Sequence, residues 1–177
     1  MGALHFFKLS SDVLEKNFDC GNCSINNRIY NSYYASLLRQ IYCYQIKYKD
    51  FVIGYYGIYF FNMDTNAMPQ YMQEYDACYV PFYTTIKIDF IAIDKKYQGQ
   101  NLGTTALKII ISSLKVLSGQ YPIRMIILDA LKEKIQWYKH IGFKIINQPS
   151  NPDSATIPMY LDCIDDYSLI EQYSELV

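Results

Sequence analysis

The sequence predicts a mixed α/β fold, and three patterns carry that reading. Residues 82–93 alternate, with Ile86, Ile88, Phe90 and Ala92 on one face and Lys87, Asp89, Ile91 and Ile93 on the other, the two-residue period of a strand. Two β-rich runs, Tyr42–Lys47 and Phe51–Phe61, flank the polar Tyr48-Lys49-Asp50 turn, which reads as a hairpin. Ile29, Tyr33, Leu37 and Ile41 recur at helical spacing along residues 25–40, and a second helical pattern covers Leu102–Leu117.

The remaining elements follow in chain order. His5–Leu9 forms a short opening strand, and Ser11 or Asp12 caps a brief helix ending near Lys16. Asp19–Asn22 is turn-like. Asn62–Pro81 is a long connection with little periodicity, and loops of that length inside compact domains usually serve function or lack order. Arg124–Leu128 is a short buried strand, Ala130–His140 a helix stopped by Gly142, and Phe143–Ile146 pairs with Thr156–Leu161 as a last hairpin. No repeat or low-complexity segment interrupts the chain, so residues 1–177 read as one domain.

Composition narrows the classes. At 51% hydrophobic and 19% charged the chain has an ordinary globular mixture. Its longest apolar runs, such as Phe90–Ile93 and Leu107–Ile111, fall far short of a membrane span. Met1–Leu9 lacks a basic region followed by a long apolar stretch, and Phe6 stands where N-myristoylation wants Ser or Thr. These observations predict a cytoplasmic protein without membrane attachment. Five cysteines, an odd number, fit reduced thiols in that compartment. Cys20-Gly21-Asn22-Cys23 has the spacing of a redox pair or half a zinc site. With only His5 and His140 elsewhere, no metal site is completed, and the expectation is a turn with incidental thiols and no metal.

Charge is uneven. Residues 83–147 hold ten Lys/Arg against four acids, whereas the rest holds six against thirteen. A positive half suits an anionic ligand, although solvated helix faces are the more usual cause of such an imbalance.

The segment with most chemical content is Ile91-Ala92-Ile93-Asp94-Lys95-Lys96-Tyr97-Gln98-Gly99-Gln100-Asn101-Leu102-Gly103. A strand enters a polar turn with two glycines, and a helix opens at its end. Glycine lets backbone bend tightly and approach a ligand closely. The free amides and dipole of a helix N-terminus attract phosphate. The same arrangement also joins many α/β units that bind no phosphate.

Gln98-Gly99-Gln100-Asn101-Leu102-Gly103 resembles the acetyl-CoA signature Q/R-x-x-G-x-G/A of the GNAT family of N-acetyltransferases. Asn101 replaces the middle glycine, and asparagine tolerates left-handed backbone well. Downstream, Asp129-Ala130-Leu131, Trp137-Tyr138 and Ile141-Gly142-Phe143 resemble the family's closing pattern of D/N-A, then F-Y-x-x-x-G-F. The resemblance implies a mixed, mostly antiparallel central sheet flanked by helices. It implies acetyl-CoA as acetyl donor, held by Ile91, Ala92, Ile93, Gln98, Gly99, Gln100, Asn101, Leu102, Gly103 and Thr104. The amine attacks the thioester directly in a ternary complex, and Tyr138 protonates the departing thiolate.

The family's strand glutamate, which deprotonates the amine in histone-type relatives, is replaced by Lys87. Asp89, two residues on, is a substitute base, or a surface acid paired with a cation; water or an amine already neutral in a desolvated site also serves. Phe18-Asp19-Cys20-Gly21-Asn22, the Ile25-Asn26-Asn27 helix start and Ile53-Gly54-Tyr55-Tyr56 resemble the acetyltransferase toxins that act on aminoacyl-tRNA. A net charge of −1 favours instead a small-molecule or protein amine as acceptor. Three readings stand: an N-acetyltransferase for such amines, a toxin acting on tRNA, and a CoA-binding domain without catalysis. A homodimer is compatible with each. The Asn62–Pro81 connection, rich in Met and Tyr, is expected to border the acceptor cleft.

Overall fold

The computed structural model describes residues 3–9, 14, 17–64, 82–146, 154–168 and 171. Seven strands form one sheet in the order β1 (Leu4–Lys8), β2 (Tyr42–Tyr48), β3 (Phe51–Asp64), β4 (Phe82–Ile93), β5 (Ile123–Leu131), β7 (Thr156–Asp162), β6 (Lys144–Ile145). The helices are α1 (Cys23–Leu37), α2 (Leu102–Ser118) and α3 (Ile135–Ile141). This is the expected mixed fold, a mostly antiparallel sheet flanked by helices. The chain groups into two compact units, Met1–Tyr59 with Lys87–Ser113 and Phe60–Ile86 with Leu114–Val177.

In the first unit β1, β2 and β3 pair antiparallel in sequence, and the β2–β3 register shifts between Ile46 and Lys47. Lys49 and Asp50 make the connecting turn with φ of 48° and 68°. Helix α1 begins at Asn22, whose Oδ1 accepts the Ile25 N–H at 3.1 Å, an N-cap that satisfies one orphan amide. Its apolar face supplies Ile29, which joins Leu9, Leu14, Phe18, Ile41, Cys43, Tyr55, Phe90 and Ala92 in a core cluster. Burying such side chains contributes roughly 1.5–3 kcal/mol each. Strand β3 reaches β4 only because Gly54 and Gly57 lack Cβ. One built at Gly54 would stand 2.3 Å from Ala92 O, and one at Gly57 2.5 Å from the Phe90 ring.

In the second unit β5 and β7 pair antiparallel from Met125↔Asp162 to Leu131↔Thr156, and β6 adds to β7. Met63, Met125, Ile127, Ile146 and Tyr160 form its core cluster, with Tyr83 packed against it.

Two boundaries differ from the sequence reading. Strand β5 continues through Asp129, Ala130 and Leu131, which pair with Pro158, Ile157 and Thr156. A single 3₁₀ turn, Lys132–Lys134, follows, so the helix expected from Ala130 starts at Ile135. Cross-strand pairing, invisible in local periodicity, overrides alanine's helix propensity there. Likewise β3 runs on to Asp64, into what reads as connection. Residues 65–81, the rest of that connection, and the helix expected between Ser11 and Lys16 lie outside the described residues, apart from Leu14.

Candidate active site

Strand β4 delivers the chain to Asp94, a buried residue that caps the 3₁₀ turn Lys95–Tyr97. Its Oδ1 accepts the Lys96 N–H at 2.9 Å, and its own N–H donates to Ile53 O at 2.8 Å. The chain then passes Gly99 at φ +76° and Asn101 at φ +60° before α2 opens at Leu102. Glycine meets no Cβ penalty in that region, and asparagine a small one.

A Cβ built on Gly99 would meet nothing within 4 Å, so the turn presents open backbone. At Gly103 a Cβ would lie 3.4 Å from Ile93 Cγ1. The first amides of a helix have no intrahelical acceptor. Among the described residues the N–H groups of Gly99, Gln100, Asn101, Leu102 and Gly103 make no backbone hydrogen bond. No acid sits in the first turn of α2. Open backbone, unengaged amides and a positive dipole end fit an anionic diphosphate.

Gln98 engages differently. Its Nε2 donates to Ile93 O at 2.8 Å and to Cys20 O at 2.9 Å, tying the turn to the end of β4 and to residues 19–22. Asp19, which the sequence placed only at the start of a turn, accepts the Lys95 N–H on its carbonyl at 2.9 Å and the Lys95 ammonium on Oδ2 at 2.7 Å. Hydrogen bonds from Lys95, Gly21 and Asn26 hold the Asp19 carboxyl far below the usual carboxylate range. Cys20 and Cys23 are free thiols beside this turn, and burial pushes the Cys20 thiol up. An aspartate directly before Lys95-Lys96-Tyr97 is a readable capping signal for Asp94. The link to Asp19 spans 75 residues and has none.

Asp89 lies on β4 with its carboxylate gripped on both oxygens. Arg28 of α1 donates from Nε to Oδ2 at 2.6 Å and from Nη2 to Oδ1 at 2.8 Å. The acid side chain is 9% exposed and the arginine side chain 55%. A cavity of about 360 Å³ opens beside Arg28, lined also by Asn31, Ser32, Ala35, Gln40, Ile41 and Tyr59.

Tyr138 belongs to the second unit, on α3. Gly142 ends that helix at φ +113°, its N–H bonded back to Lys139 O and Tyr138 O. The reversal brings the Phe143 ring edge-on to Tyr138 at 5.7 Å, while Trp137 lies tilted at 4.7 Å. These rings desolvate the phenol, and burial pushes it up to about 12. No hydrogen bond to its hydroxyl is present among the described residues. Of the expected site residues the first unit gathers Ile91–Ile93 and Gln98–Thr104 in one strand–turn–helix, with Asp89 earlier on the same strand.

This strand, glycine turn and helix fit an anionic cofactor, and comparison with known proteins gives the family. The acetyltransferase (GNAT) family profile matches residues 15–143, and the chain belongs to that family. It is accordingly an acetyl-CoA-dependent acetyltransferase. No curated protein sequence matches it. Among solved structures it is similar to one described as a bacterial toxin, with TM-score 0.78, 16% identity, and 99% of this chain and 97% of that one covered. AtaT complexed with acetyl-methionyl-tRNAfMet is similar at TM-score 0.75 and 20% identity, with 97% and 99% covered. A mutant AtaT toxin bound to the C-terminus of the antitoxin AtaR and acetyl-CoA follows at 0.69 and 18%, with 97% of each covered. No helix among the described residues is long and apolar enough to cross a membrane.

Proposed function

We propose that the protein, as one acetyltransferase domain in the cytoplasm, moves the acetyl group of acetyl-CoA onto the α-amine of an aminoacyl-tRNA. The observation that carries this reading is the end-to-end similarity to AtaT complexed with acetyl-methionyl-tRNAfMet, which leaves neither chain with a large unmatched part. Local charge supports it. Lys132, Lys134, Lys139 and Lys144 are exposed around α3, with Glu133 the one acid among residues 132–144. Phosphate backbones bind such patches, and a net charge of −1 leaves the attraction local rather than global.

Acetyl-CoA supplies the thioester carbonyl that the amine attacks. The amides of Gly99–Gly103 take its diphosphate, and the end of β4, Ile91–Ile93, offers backbone to its pantetheine arm and carbonyl. Tyr138, kept protonated by burial, gives its proton to the departing sulfur. Asp89, engaged by Arg28, orients α1 rather than taking the amine proton, so the acceptor enters as the neutral amine and after attack gives its surplus proton to water, from which the Tyr138 phenolate is reprotonated. Holding amine and thioester together supplies much of the acceleration.

The cavity beside Arg28 favours a second reading, a small-molecule amine, because 360 Å³ matches small-ligand sites. Incubating the protein with acetyl-CoA and either charged tRNA, polyamines, amino acids or peptides, and reading free thiol, decides between them. Thiol release with charged tRNA is expected. Release with small amines and none with charged tRNA overturns the proposal.

A further inference from the structure

We infer that Asp19 is the positioning residue of the diphosphate-binding turn, an inference that rests on reading Gly99–Gly103 as the CoA site. The turn does little to hold itself. Its internal backbone bonds are Tyr97 N–H to Asp94 O at 2.9 Å and Gln98 N–H to Lys95 O at 3.3 Å. Two left-handed residues follow on exposed backbone. Apart from Ile53 O, Ile93 O and the Gln100 side-chain amide, which donates to Lys96 O, the anchors of residues 94–98 among the described residues converge on Asp19 and Cys20. Lys95 N–H donates to Asp19 O at 2.9 Å, Asp19 N–H to Asp94 Oδ2 at 3.3 Å, and Gln98 Nε2 to Cys20 O at 2.9 Å.

The Asp19 carboxylate shapes the backbone that offers these anchors. Oδ1 accepts Gly21 N–H at 2.8 Å, closing an aspartate turn, and Asn26 Nδ2 at 2.9 Å, fastening the turn to α1. Asn26 in turn accepts Cys20 N–H on Oδ1 at 3.1 Å. Oδ2 meets the Lys95 ammonium. Gly21 sits at φ +88°, where a Cβ would stand 2.9 Å from Lys95 Cε, so glycine lets that lysine lie across the turn. The Phe18–Asn22 stretch is therefore a brace for the cofactor turn, 75 residues away in sequence. Without it the Gly99–Gly103 amides lose their fixed direction, and hydrogen bonds to a diphosphate weaken as their alignment is lost.

The test measures CoA affinity by calorimetry, together with kcat and KM for acetyl-CoA, in the full-length protein and four variants. Asp19→Ala should weaken CoA binding about tenfold, the equivalent of one net hydrogen bond, with kcat at saturating acetyl-CoA unchanged. Asp19→Asn keeps one acceptor and should lose about threefold, and Lys95→Met less than that, because an exposed ion pair contributes little. Gly103→Asp should abolish binding by placing charge at the phosphate site. If folded Gly103→Asp binds CoA normally, the assignment of the turn fails. If Gly103→Asp loses CoA while Asp19→Ala binds it as wild type does, the positioning role alone fails. A fall in melting temperature with unchanged affinity and KM also overturns it. Should Asp19→Ala not fold, Asp19→Asn answers by the same criteria.

Discussion

Phe143 closes on Tyr138 twice, through its N–H bonded to Tyr138 O at 3.1 Å and through its ring, edge-on at 5.7 Å. The left-handed Gly142 makes both contacts geometrically available. The end of α3 thereby fixes the orientation of the proposed acid and partly shields it from water.

Tyr138→Phe keeps the ring and removes the proton donor. It should fold and bind CoA normally while kcat falls about 10²–10⁴-fold, the usual contribution of general acid catalysis. Steady-state kinetics with chemistry rate-limiting checks this; a near wild-type kcat reduces Tyr138 to packing.

The pH profile offers an independent check on the same group. The Tyr138 phenol is raised to about 12 by burial, against about 10 when free. Its neutral form is thus favoured in the fold, a contribution complete below about pH 10 and lost as pH rises toward 12. On its account kcat should stay level through the alkaline range up to about pH 10. A Tyr138-dependent decline centred well below that value contradicts its burial.

Gly142→Ala forces a side chain into φ +113°, with its Cβ 3.7 Å from Leu161 Cδ1. Left-handed backbone costs an L-residue about 1–2 kcal/mol, and denaturant unfolding should show a loss of that order. Activity should fall more than CoA affinity, since the reversal orients Tyr138.

Asp89→Asn separates orientation from base catalysis. Removing the charge from the pair with Arg28, whose side chain is half exposed, should cost about 1 kcal/mol in stability. The change in kcat should stay within about threefold, whereas loss of a general base costs about 10²–10⁴-fold. The larger fall would return Asp89 to the role of base.

Acid should release the Asp19 brace. Its carboxyl titrates far below the ordinary value of about 3.9. A depressed acid stabilises the fold above that ordinary value and loses the contribution as pH falls toward its native one. The difference in melting temperature between wild type and Asp19→Asn should therefore shrink steadily below about pH 4. A constant difference would show that the carboxylate charge plays no part.

The chain's local order determined what local order can. Alternation marked β4 at Phe82–Ile93, helical spacing marked α1 and α2, and the two glycines marked the turn that opens α2. Each depends on side chains within a few residues of one another, where periodicity and capping act directly. The tertiary structure alone decided three matters. It carried β5 through Leu131 by pairing with β7, and it placed Arg28 on both oxygens of Asp89. It also set Asp19 against Lys95, where a hydrogen bond spans 76 residues. Such contacts require long loops to close, and the packing that offsets their entropy is distributed over a core no single window of sequence contains.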